Sequence, residues 1–362
     1  MTRALFLEAP ATSRGPLPWL LALGAGLGQA ASLAWPGPGS LAGQPLWWLQ
    51  ILSLALLGRV LLGAGSARRA ALLGWLFATS WLVGTFWWLF ISMHTYGGLA
   101  APLAVAAVLA LAGLLALYYA LAAALFAALA SAPLLARRPV LAALGFAALW
   151  TLAELLRGTL FTGFPWGAGG YAHVDGPLAF LARYVGVYGL GGVAAALAAL
   201  LALAPRVAWR RPRVLGAAAL VLALGAALWG GRWYALAPAG QPLWTEVVLL
   251  QGNIPQDEKF IPGSGVVDSL RWYGEQLQGA SAPLVVAPET ALPLLPRQLP
   301  EGYWQALNER FARPGQAALL GVPLGNLEEG YTNSVVGLAP GQAAPYRYDK
   351  HHLVPFGEFI PP

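Results

Sequence analysis

Charged residues are scarce in this sequence. They make up 10% of its 362 residues, whereas hydrophobic residues make up 58%. A soluble domain carries about 25% charged residues, so the composition is that of a membrane protein. Cysteine is absent altogether. Its absence excludes a disulfide, a thiolate metal site and a cysteine nucleophile within these residues.

The charge that is present is divided unevenly along the chain. Residues 1–235 contain fourteen arginines and three acidic residues, a balance of +11, whereas residues 236–362 contain seven basic and twelve acidic residues, a balance of −5. The arginines of the first part lie between apolar runs, where they determine topology in a membrane. We therefore expect no nucleic-acid-binding surface, and we divide the chain into two domains, 1–235 and 236–362.

Long apolar runs fill the first domain, which we predict to be a seven-helix transmembrane domain. A helix needs about 20 apolar residues to cross the hydrocarbon core. The fourth run has neither glycine nor proline over residues 114–130, so we expect one helix there. Glu154 and Arg157 lie near the end of the fifth run, and no charge lies in the middle of a run, which disfavours an ion-coupled transporter. The seven runs are Leu17–Trp35, Leu46–Gly63, Ala71–Met93, Leu99–Ala130, Val140–Leu156, Pro177–Ala204 and Val214–Trp229.

The arginines also predict the orientation of these spans. Eleven of the fourteen lie at one side of the predicted spans, and only Arg157, Arg183 and Arg232 lie at the other. Arginine and lysine concentrate on the cytoplasmic side of a membrane, which places the N-terminus in the cytoplasm. Seven crossings then place the second domain on the outer side.

Two connections at the outer side have more structure than a simple link needs. One is Ile91–Gly98, which contains His94, and the other is Thr162–Tyr171, which places Trp166 in a compact Gly-Phe-Pro-Trp turn. Aromatic residues at a membrane interface commonly form an anchoring belt, and this alone would explain Trp166. Anchoring needs no fixed backbone, however, so the turn favours a lipid-facing rim of a site.

The second domain alternates between strand and helix patterns. We predict an α/β layered domain that ends in a β-hairpin. The predicted strands are Thr245–Gln251, Leu284–Ala287, Ala317–Val322, Tyr331–Leu338 and Pro345–Asp349, and the predicted helices are Val266–Gly279 and Glu301–Ala312.

Two residues of the second domain have the positions of catalytic groups. Glu289 follows the strand Leu-Val-Val-Ala and lies between two prolines, and α/β folds place catalytic groups at such strand ends. Lys350 is one of two lysines in a chain with nineteen arginines. An ammonium is a compact charge whose pKa responds to its surroundings, unlike a guanidinium. Each residue, taken alone, is equally compatible with a solvated surface loop.

Five segments together carry a resemblance to a known family: SMHTYGG, TGFPW, QGNIPQ, PETALP and YDKHHLVPFGE. The last two, which contain Glu289 and Lys350, resemble the nitrilase superfamily. With the apolar runs in front, the whole chain resembles the apolipoprotein N-acyltransferase family of the bacterial inner membrane. The resemblance implies a nitrilase-like α-β-β-α sandwich on the periplasmic side of that membrane.

The resemblance also implies roles for individual residues. Glu289 would be the general base, and Lys350 would stabilise the thiolate and the oxyanion of the tetrahedral intermediate. Glu358 would support both. No metal or organic cofactor is implied. The residues expected to contact the substrates are Phe260, Trp166 and His94.

The sequence departs from the family in one respect. The family's nucleophile is a cysteine that follows the lysine by several tens of residues, and an eighth span follows that cysteine. Only twelve residues follow Lys350, and none is cysteine. We therefore expect a C-terminally truncated form whose 362 residues do not transfer acyl groups alone.

The function that the resemblance implies is acyl transfer from a membrane phospholipid to the N-terminal amino group of S-diacylglyceryl-cysteine in apolipoproteins, the last step of bacterial lipoprotein maturation. Two alternatives stay open. A membrane-tethered amidase would use Glu289 and Lys350 equally well, but polar residues would close its pocket. A non-catalytic receptor or scaffold would leave these two side chains more than about 10 Å apart. An acyltransferase needs an apolar rim, for which the candidates are Leu294, Leu295, Trp304 and Phe260.

Overall fold

The structure, a computed structural model, describes residues 15–132, 138–204, 244–326, 328, 330–342, 344–354 and 358. The chain divides into two compact units, with the boundary between Ala237 and Pro238. The regular secondary structure described in the first unit is helical, and the second unit contains a β-sheet.

Seven α-helices and several short turns of 3-10 helix make up the described part of the first unit. The helices are apolar on all faces, as expected of helices that meet lipid on one side and other helices on the other. Ser66 begins α3 by accepting a hydrogen bond from the Arg69 N–H at 3.2 Å. The helices are α1 Leu17–Leu33, α2 Trp47–Leu62, α3 Ala67–Phe86, α4 Trp88–Ile91, α5 Ala101–Ser131, α6 Pro139–Thr159 and α7 Ala182–Leu203.

The predicted spans are present as several apolar helices, with corrections in their length and shape. Three helical stretches, of 31, 24 and 25 residues, are long and apolar enough to cross a membrane, and α3 with its continuation makes a fourth. Helices α1 and α2 are apolar but only 17 and 16 residues long. The fourth run is one helix, as predicted. The seventh run, Val214–Trp229, lies outside the described residues.

The third run is not the straight helix that its hydropathy predicts. Helix α3 ends at Phe86, and the following helical stretch Trp88–Tyr96 turns away from it by 50°. The stretch consists of α4 and a π-helical turn, Ser92–Tyr96. The prediction of a loop over Ile91–Gly98 was therefore wrong for most of that segment, because helical structure continues until Gly97 and Gly98 end it.

Two oppositely charged side chains near the end of α6 are buried, which the apolar runs did not predict. Glu154 is 0% exposed and Arg157 is 1% exposed, and both lie in α6. The expectation that the spans contain no buried ionisable group was wrong because the segment after α6 folds back over this helix end. The Phe164 N–H, for example, donates to the Arg157 carbonyl at 2.7 Å.

The second unit is built on one five-stranded mixed sheet in its described residues. The spatial order is β1-β2-β3-β4-β5, with β1, β2 and β3 parallel and β3, β4 and β5 antiparallel. The strands are β1 Val247–Leu249, β2 Leu284–Val286, β3 Ala317–Asn326, β4 Gly330–Leu338 and β5 Tyr346–Asp349, and the helices are α8 Gly265–Gly279 and α9 Tyr303–Phe311.

The strand and helix predictions for this unit are confirmed in order and type, including the terminal hairpin of β4 and β5. Helices α8 and α9 share one buried core with the sheet, in which Leu277 and Phe311 pack with Val285, Leu320 and Val322. Because the described residues contain a single sheet, the α-β-β-α sandwich stays a prediction.

Candidate active site

The loop after β2 carries Glu289 across the end of β3. The Ala287 N–H donates to the Leu319 carbonyl and the Leu292 N–H donates to the Gly321 carbonyl, so the loop is held at both ends. A Cβ atom at position 321 would lie 2.1 Å from the Pro288 carbonyl oxygen and 2.7 Å from the Glu289 Cα atom. Only glycine allows this crossing, and it therefore fixes where Glu289 stands.

The hairpin of β4 and β5 supplies the second part of the site. The Lys350 N–H donates to the Asn333 carbonyl at 2.8 Å, directly beyond the last residue of β5. One position along, Ser334 is paired with Asp349, and its hydroxyl donates to the Asp349 carboxylate at 2.7 Å. Because successive side chains of a strand point to opposite faces, Asn333 and Lys350 share the other face.

Four side chains meet at this point. The Lys350 Nζ atom lies 3.3 Å from Glu289 Oε1 and 2.9 Å from Glu358 Oε1. The side-chain amide of Asn333 donates to the same two oxygens, at 3.0 Å for Glu358. The Val354 N–H fixes the other Glu358 oxygen at 2.8 Å. Two acceptors and two donors thus form a closed ring that holds the lysine between two carboxylates.

The electrostatics of the ring favour the charged forms of Lys350 and Glu358. The hydrogen bond to Glu358 is the main cause that raises the pKa of Lys350, and Glu289 adds to it. Partial burial would raise the pKa of Glu358, but the hydrogen bonds from Val354, Asn333 and Lys350 outweigh burial and lower it. The Lys350 side chain is 29% exposed, so an external group has access to the ammonium.

The arrangement is suited to acid–base chemistry on a carbonyl substrate. Among the described residues, every hydrogen bond to the Glu289 carboxylate involves Oε1, so Oε2 is available to accept a proton. The ammonium beside it is a fixed positive charge of the kind that stabilises a developing oxyanion. Among the residues that the structure describes, no three His, Asp or Glu side chains lie close enough together to hold a metal ion.

Two residues of the site were missed by sequence reasoning. Asn333 bridges the two glutamates, and Lys259 donates from Nζ to the Glu289 backbone carbonyl at 3.0 Å. Burial lowers the pKa of Lys259, against the opposing attraction of Glu289. A signal for Lys259 was available in the sequence, because it is the other of the two lysines in the chain. No local signal marked Asn333, which lies between Thr332 and Ser334 in β4.

The remaining predicted residues occupy separate places. Phe260 is 55% exposed in the second unit and follows Lys259 in the chain. Of the proposed apolar rim, Leu295 is buried and Leu294 and Trp304 pack against the core, so Phe260 is the exposed member. Because Leu295 is buried and the other two pack against the core, these three side chains do not form an exposed rim.

His94 and Trp166 lie in the first unit. His94 belongs to the π-helical turn, where its Nδ1 atom lies 2.7 Å from the Leu99 carbonyl oxygen. Trp166 packs edge to face against Trp88 and Phe164, with ring centroids 4.9 and 5.0 Å apart. Both residues therefore lie among aromatic and backbone groups at helix ends.

The proximity of Glu289 and Lys350 decides against one alternative. A receptor or scaffold reading required these side chains to lie more than about 10 Å apart. Their charged atoms are 3.3 Å apart, so that prediction was wrong.

Comparison with known proteins gives a consistent result. The family profile described as the apolipoprotein N-acyltransferase N-terminal domain matches residues 27–200. A protein of Verminephrobacter eiseniae named apolipoprotein N-acyltransferase is 58% identical over 365 aligned residues, which cover 96% of this chain and 65% of the relative. Relatives of the same name from Ralstonia nicotianae and Azotobacter vinelandii are 44% and 41% identical, each over 87% of this chain.

The chain spans between 59% and 65% of the length of these three relatives. Because the match to the Verminephrobacter eiseniae relative covers 96% of the chain, it includes residues of both the helical unit and the sheet unit. The chain belongs to the apolipoprotein N-acyltransferase family.

Proposed function

We propose that this chain supplies the membrane unit and the base–lysine pair of an enzyme that transfers an acyl chain from a membrane phospholipid to the N-terminal amino group of S-diacylglyceryl-cysteine in apolipoproteins. The names of the relatives support the acyl transfer. The observation that carries the proposal is the contact of Lys350 Nζ with the carboxylates of Glu289 and Glu358, at 3.3 and 2.9 Å.

The proposed chemistry divides between these groups. Glu289 accepts the proton of a thiol, and the resulting thiolate attacks the ester carbonyl of the phospholipid. Lys350 stabilises the oxyanion of the tetrahedral intermediate. Collapse of that intermediate forms a thioester and releases the lysophospholipid, which takes the proton back from Glu289. The amino group of the acceptor then attacks the thioester and forms the amide. The carbon–sulfur bond breaks, the thiolate leaves, and Glu289 passes the amine proton to it, which completes a ping-pong cycle.

The sulfur of this route has to come from outside the 362 residues, because the chain contains no cysteine. A longer form of the chain is its natural source in the proposal. Glu358 and Asn333 hold the lysine and the base in place, so that only the thiol has to be added. Lys259, through the Glu289 carbonyl, steadies the loop that carries the base.

Exposed apolar residues support a lipid substrate over a small amide. Phe260 is half-exposed next to Lys259, and Ile261 after it is also exposed. In the first unit, Trp166 and His94 are proposed to contact lipid. We further propose that the first unit spans the bacterial inner membrane with its N-terminus in the cytoplasm, and that the second unit lies on the periplasmic side.

The test joins this chain to the part of the Verminephrobacter eiseniae relative that lies beyond their match. The joined protein and the 362-residue chain are each reconstituted in phospholipid vesicles with a diacylglyceryl lipopeptide as acceptor, and the full-length relative serves as the positive control. We expect mass spectrometry to detect the N-acylated lipopeptide with the joined protein and with the relative, but not with the chain alone.

Three other results would contradict parts of the proposal. Acyl transfer by the 362-residue chain would show that no external thiol is needed. A folded joined protein that does not transfer acyl groups would contradict the assigned reaction. Ammonia release from small amides, without acyl transfer, would favour the membrane-tethered amidase.

A further inference from the structure

The buried charges of α6 have no part in the chemistry proposed above. Glu154 and Arg157 lie three residues apart near the end of a helix that is long and apolar enough to cross a membrane. Removing two charged groups from water costs several kcal/mol each unless other groups compensate. Ionisable groups inside membrane helices are therefore expected to serve a function.

Both charged side chains bind the backbone of the segment that follows α6, residues 160–173. The Arg157 Nη1 atom donates to the Phe164 and Trp166 carbonyl oxygens, each at 2.7 Å. The Glu154 Oε1 atom accepts a hydrogen bond from the Gly169 N–H at 2.8 Å. At the depth of a membrane, irregular backbone is tolerated only where such partners satisfy it.

Neighbouring helices complete the attachment. The Tyr119 hydroxyl of α5 accepts a hydrogen bond from Arg157 Nε at 2.9 Å and so orients the guanidinium. His173, which ends the segment, is buried and hydrogen-bonded to Gln50 of α2. Gly169 passes so close that a Cβ atom there would lie 2.4 Å from Gln50 Nε2. The segment is thus fixed at four places, Phe164, Trp166, Gly169 and His173, to side chains of α6 and α2.

The fixed segment displays two aromatic residues. Phe161 is 94% exposed and has φ 53°, and Thr162 after it has φ 72°, which is the left-handed region that bulky and β-branched residues avoid. Such strain persists only where the surrounding structure enforces it, and it is concentrated at functional sites. Trp166 follows later in the same segment, is half-exposed and packs on Phe164.

We propose that Arg157 is a positioning residue that holds Phe161 and Trp166 as a rigid apolar edge against the acyl chains of the phospholipid substrate. The stretch Pro139–Thr162 has 24 residues, which is about 36 Å as a helix and matches the thickness of a bilayer with part of its interface. Its end therefore meets lipid, and an acyl chain is the apolar group available there. The assignment of a phospholipid substrate rests on the proposed function, whereas the attachment of the segment to Arg157 and Glu154 does not.

A spin label tests the attachment without any activity measurement. Because the 362-residue chain has no cysteine, Phe161→Cys introduces a single labelling site on an exposed position. In lipid vesicles we expect a slow, ordered electron paramagnetic resonance spectrum, and a mobile spectrum when Arg157→Lys is added, since an ammonium cannot make the same set of bonds. The matched control is Trp75→Phe, which removes a hydrogen bond from Trp75 to the Gly113 carbonyl elsewhere in the helical unit and should leave the spectrum unchanged.

Kinetics of the joined protein test the role in substrate binding. Arg157→Lys should raise the KM for phospholipid about tenfold and change kcat less than about threefold, because the edge is loosened while the reacting groups stay in place. Trp75→Phe should change neither constant. If Arg157→Lys does not fold, Tyr119→Phe replaces it, because the loss of one hydroxyl leaves the guanidinium less well oriented, and a smaller change of the same kind is expected.

The outcomes separate the two claims. An equally immobile label in both Arg157→Lys and Tyr119→Phe would overturn the positioning role of Arg157. A label that becomes mobile while the KM stays unchanged would contradict the contact between the apolar edge and the phospholipid. It would still support the positioning role of Arg157. Absence of acyl transfer in every form would count against the proposed function alone, since the spectra do not depend on it.

Discussion

The two units of this protein each contain a cluster of glutamate with a basic residue, and the two clusters are built in opposite ways. In the helical unit, Glu154 and Arg157 are buried and bind backbone groups of a folded-back segment. In the sheet unit, Glu289 and Lys350 are partly exposed, and backbone geometry positions them next to each other. In the first cluster, the charged side chains hold backbone groups in place. In the second cluster, the backbone places the charged side chains next to each other.

The difference indicates how each cluster should respond to substitution. A buried charge that holds backbone in place contributes to stability, and its loss leaves an unsatisfied donor. An exposed charge pair contributes little to stability but can contribute much to catalysis. The two clusters can therefore be told apart by measuring activity and unfolding for the same set of variants.

The largest expected effect is that of Lys350→Met in the joined protein. We expect kcat for acyl transfer to fall about 10³-fold, because the oxyanion loses its positive partner. Lys350→Arg keeps the charge but replaces a compact ammonium with a planar group, and should recover only a small part of the loss. A Lys350→Met protein with more than a tenth of the parent kcat would show that the lysine does not act on the reacting carbonyl.

A substitution in β3 tests the placement of Glu289. Gly321→Ala puts a Cβ atom 2.1 Å from the Pro288 carbonyl oxygen, so the loop has to move. We expect kcat to fall about 10²-fold, because a shift of about 1 Å in a reacting group has an effect of that size. The control is Gly279→Ala, at a position where a Cβ atom meets no other atom within 4 Å. Unchanged kcat in Gly321→Ala would mean that the position of Glu289 is not critical.

A third substitution tests the stabilising role of the buried cluster. Glu154→Ala leaves the Gly169 N–H without its acceptor, which should lower the free energy of unfolding by about 1–3 kcal/mol. Denaturant-induced unfolding of the chain in detergent measures this difference. Glu289→Ala is the matched control, since that carboxylate is exposed and should leave the unfolding midpoint unchanged. Equal midpoints for the two variants would remove the distinction between the clusters.

The smallest effect is expected from pH. The folded-state pKa of Glu358 lies below its ordinary value of 4.5, so its contribution to stability is present above 4.5 and is lost as pH falls through the folded-state pKa. The pKa of Lys350 is raised above 10.5, so its contribution is present below 10.5 and is lost as pH rises through the higher value. Stability should depend on these groups only outside that window.

Unfolding midpoints measured against pH check this expectation. Glu358→Gln should weaken the loss of stability on the acid side, whereas Glu301→Gln, an exposed position outside the cluster, should not change it. A profile that Glu358→Gln leaves unaltered would show that the carboxylate has no favourable interaction in the folded chain.

Sequence reasoning located the exposed cluster better than the buried one. Glu289 and Lys350 were predictable because each occupies a strand end or hairpin end, and the strand order then brings them together. Asn333 was missed because its role comes from pairing of β4 with β5, which no local pattern contains. The burial of Glu154 and Arg157 was missed because it is produced by the segment that folds back after α6, and hydropathy describes only the helix.

The shape of the helices was also only partly predictable. The length of α5 follows from the absence of glycine and proline in residues 114–130. The helix axis turns by 50° between α3 and the stretch Trp88–Tyr96. The residue at the turn is Trp87, which is neither glycine nor proline, so the residue type does not predict the turn. Apolar composition specifies that a segment is helical, but packing against neighbouring helices decides where the axis bends.

The central claim is that Glu289 and Lys350 act on one reacting carbonyl, and a double-mutant cycle tests it most directly. The kcat of acyl transfer is measured for the joined protein with Glu289→Gln, with Lys350→Met and with both. Residues that act as a unit give grossly non-additive losses, so we predict that the double variant is no slower than the slower single variant. Losses that multiply in the double variant would show that the two groups act independently, and would contradict this account of the site.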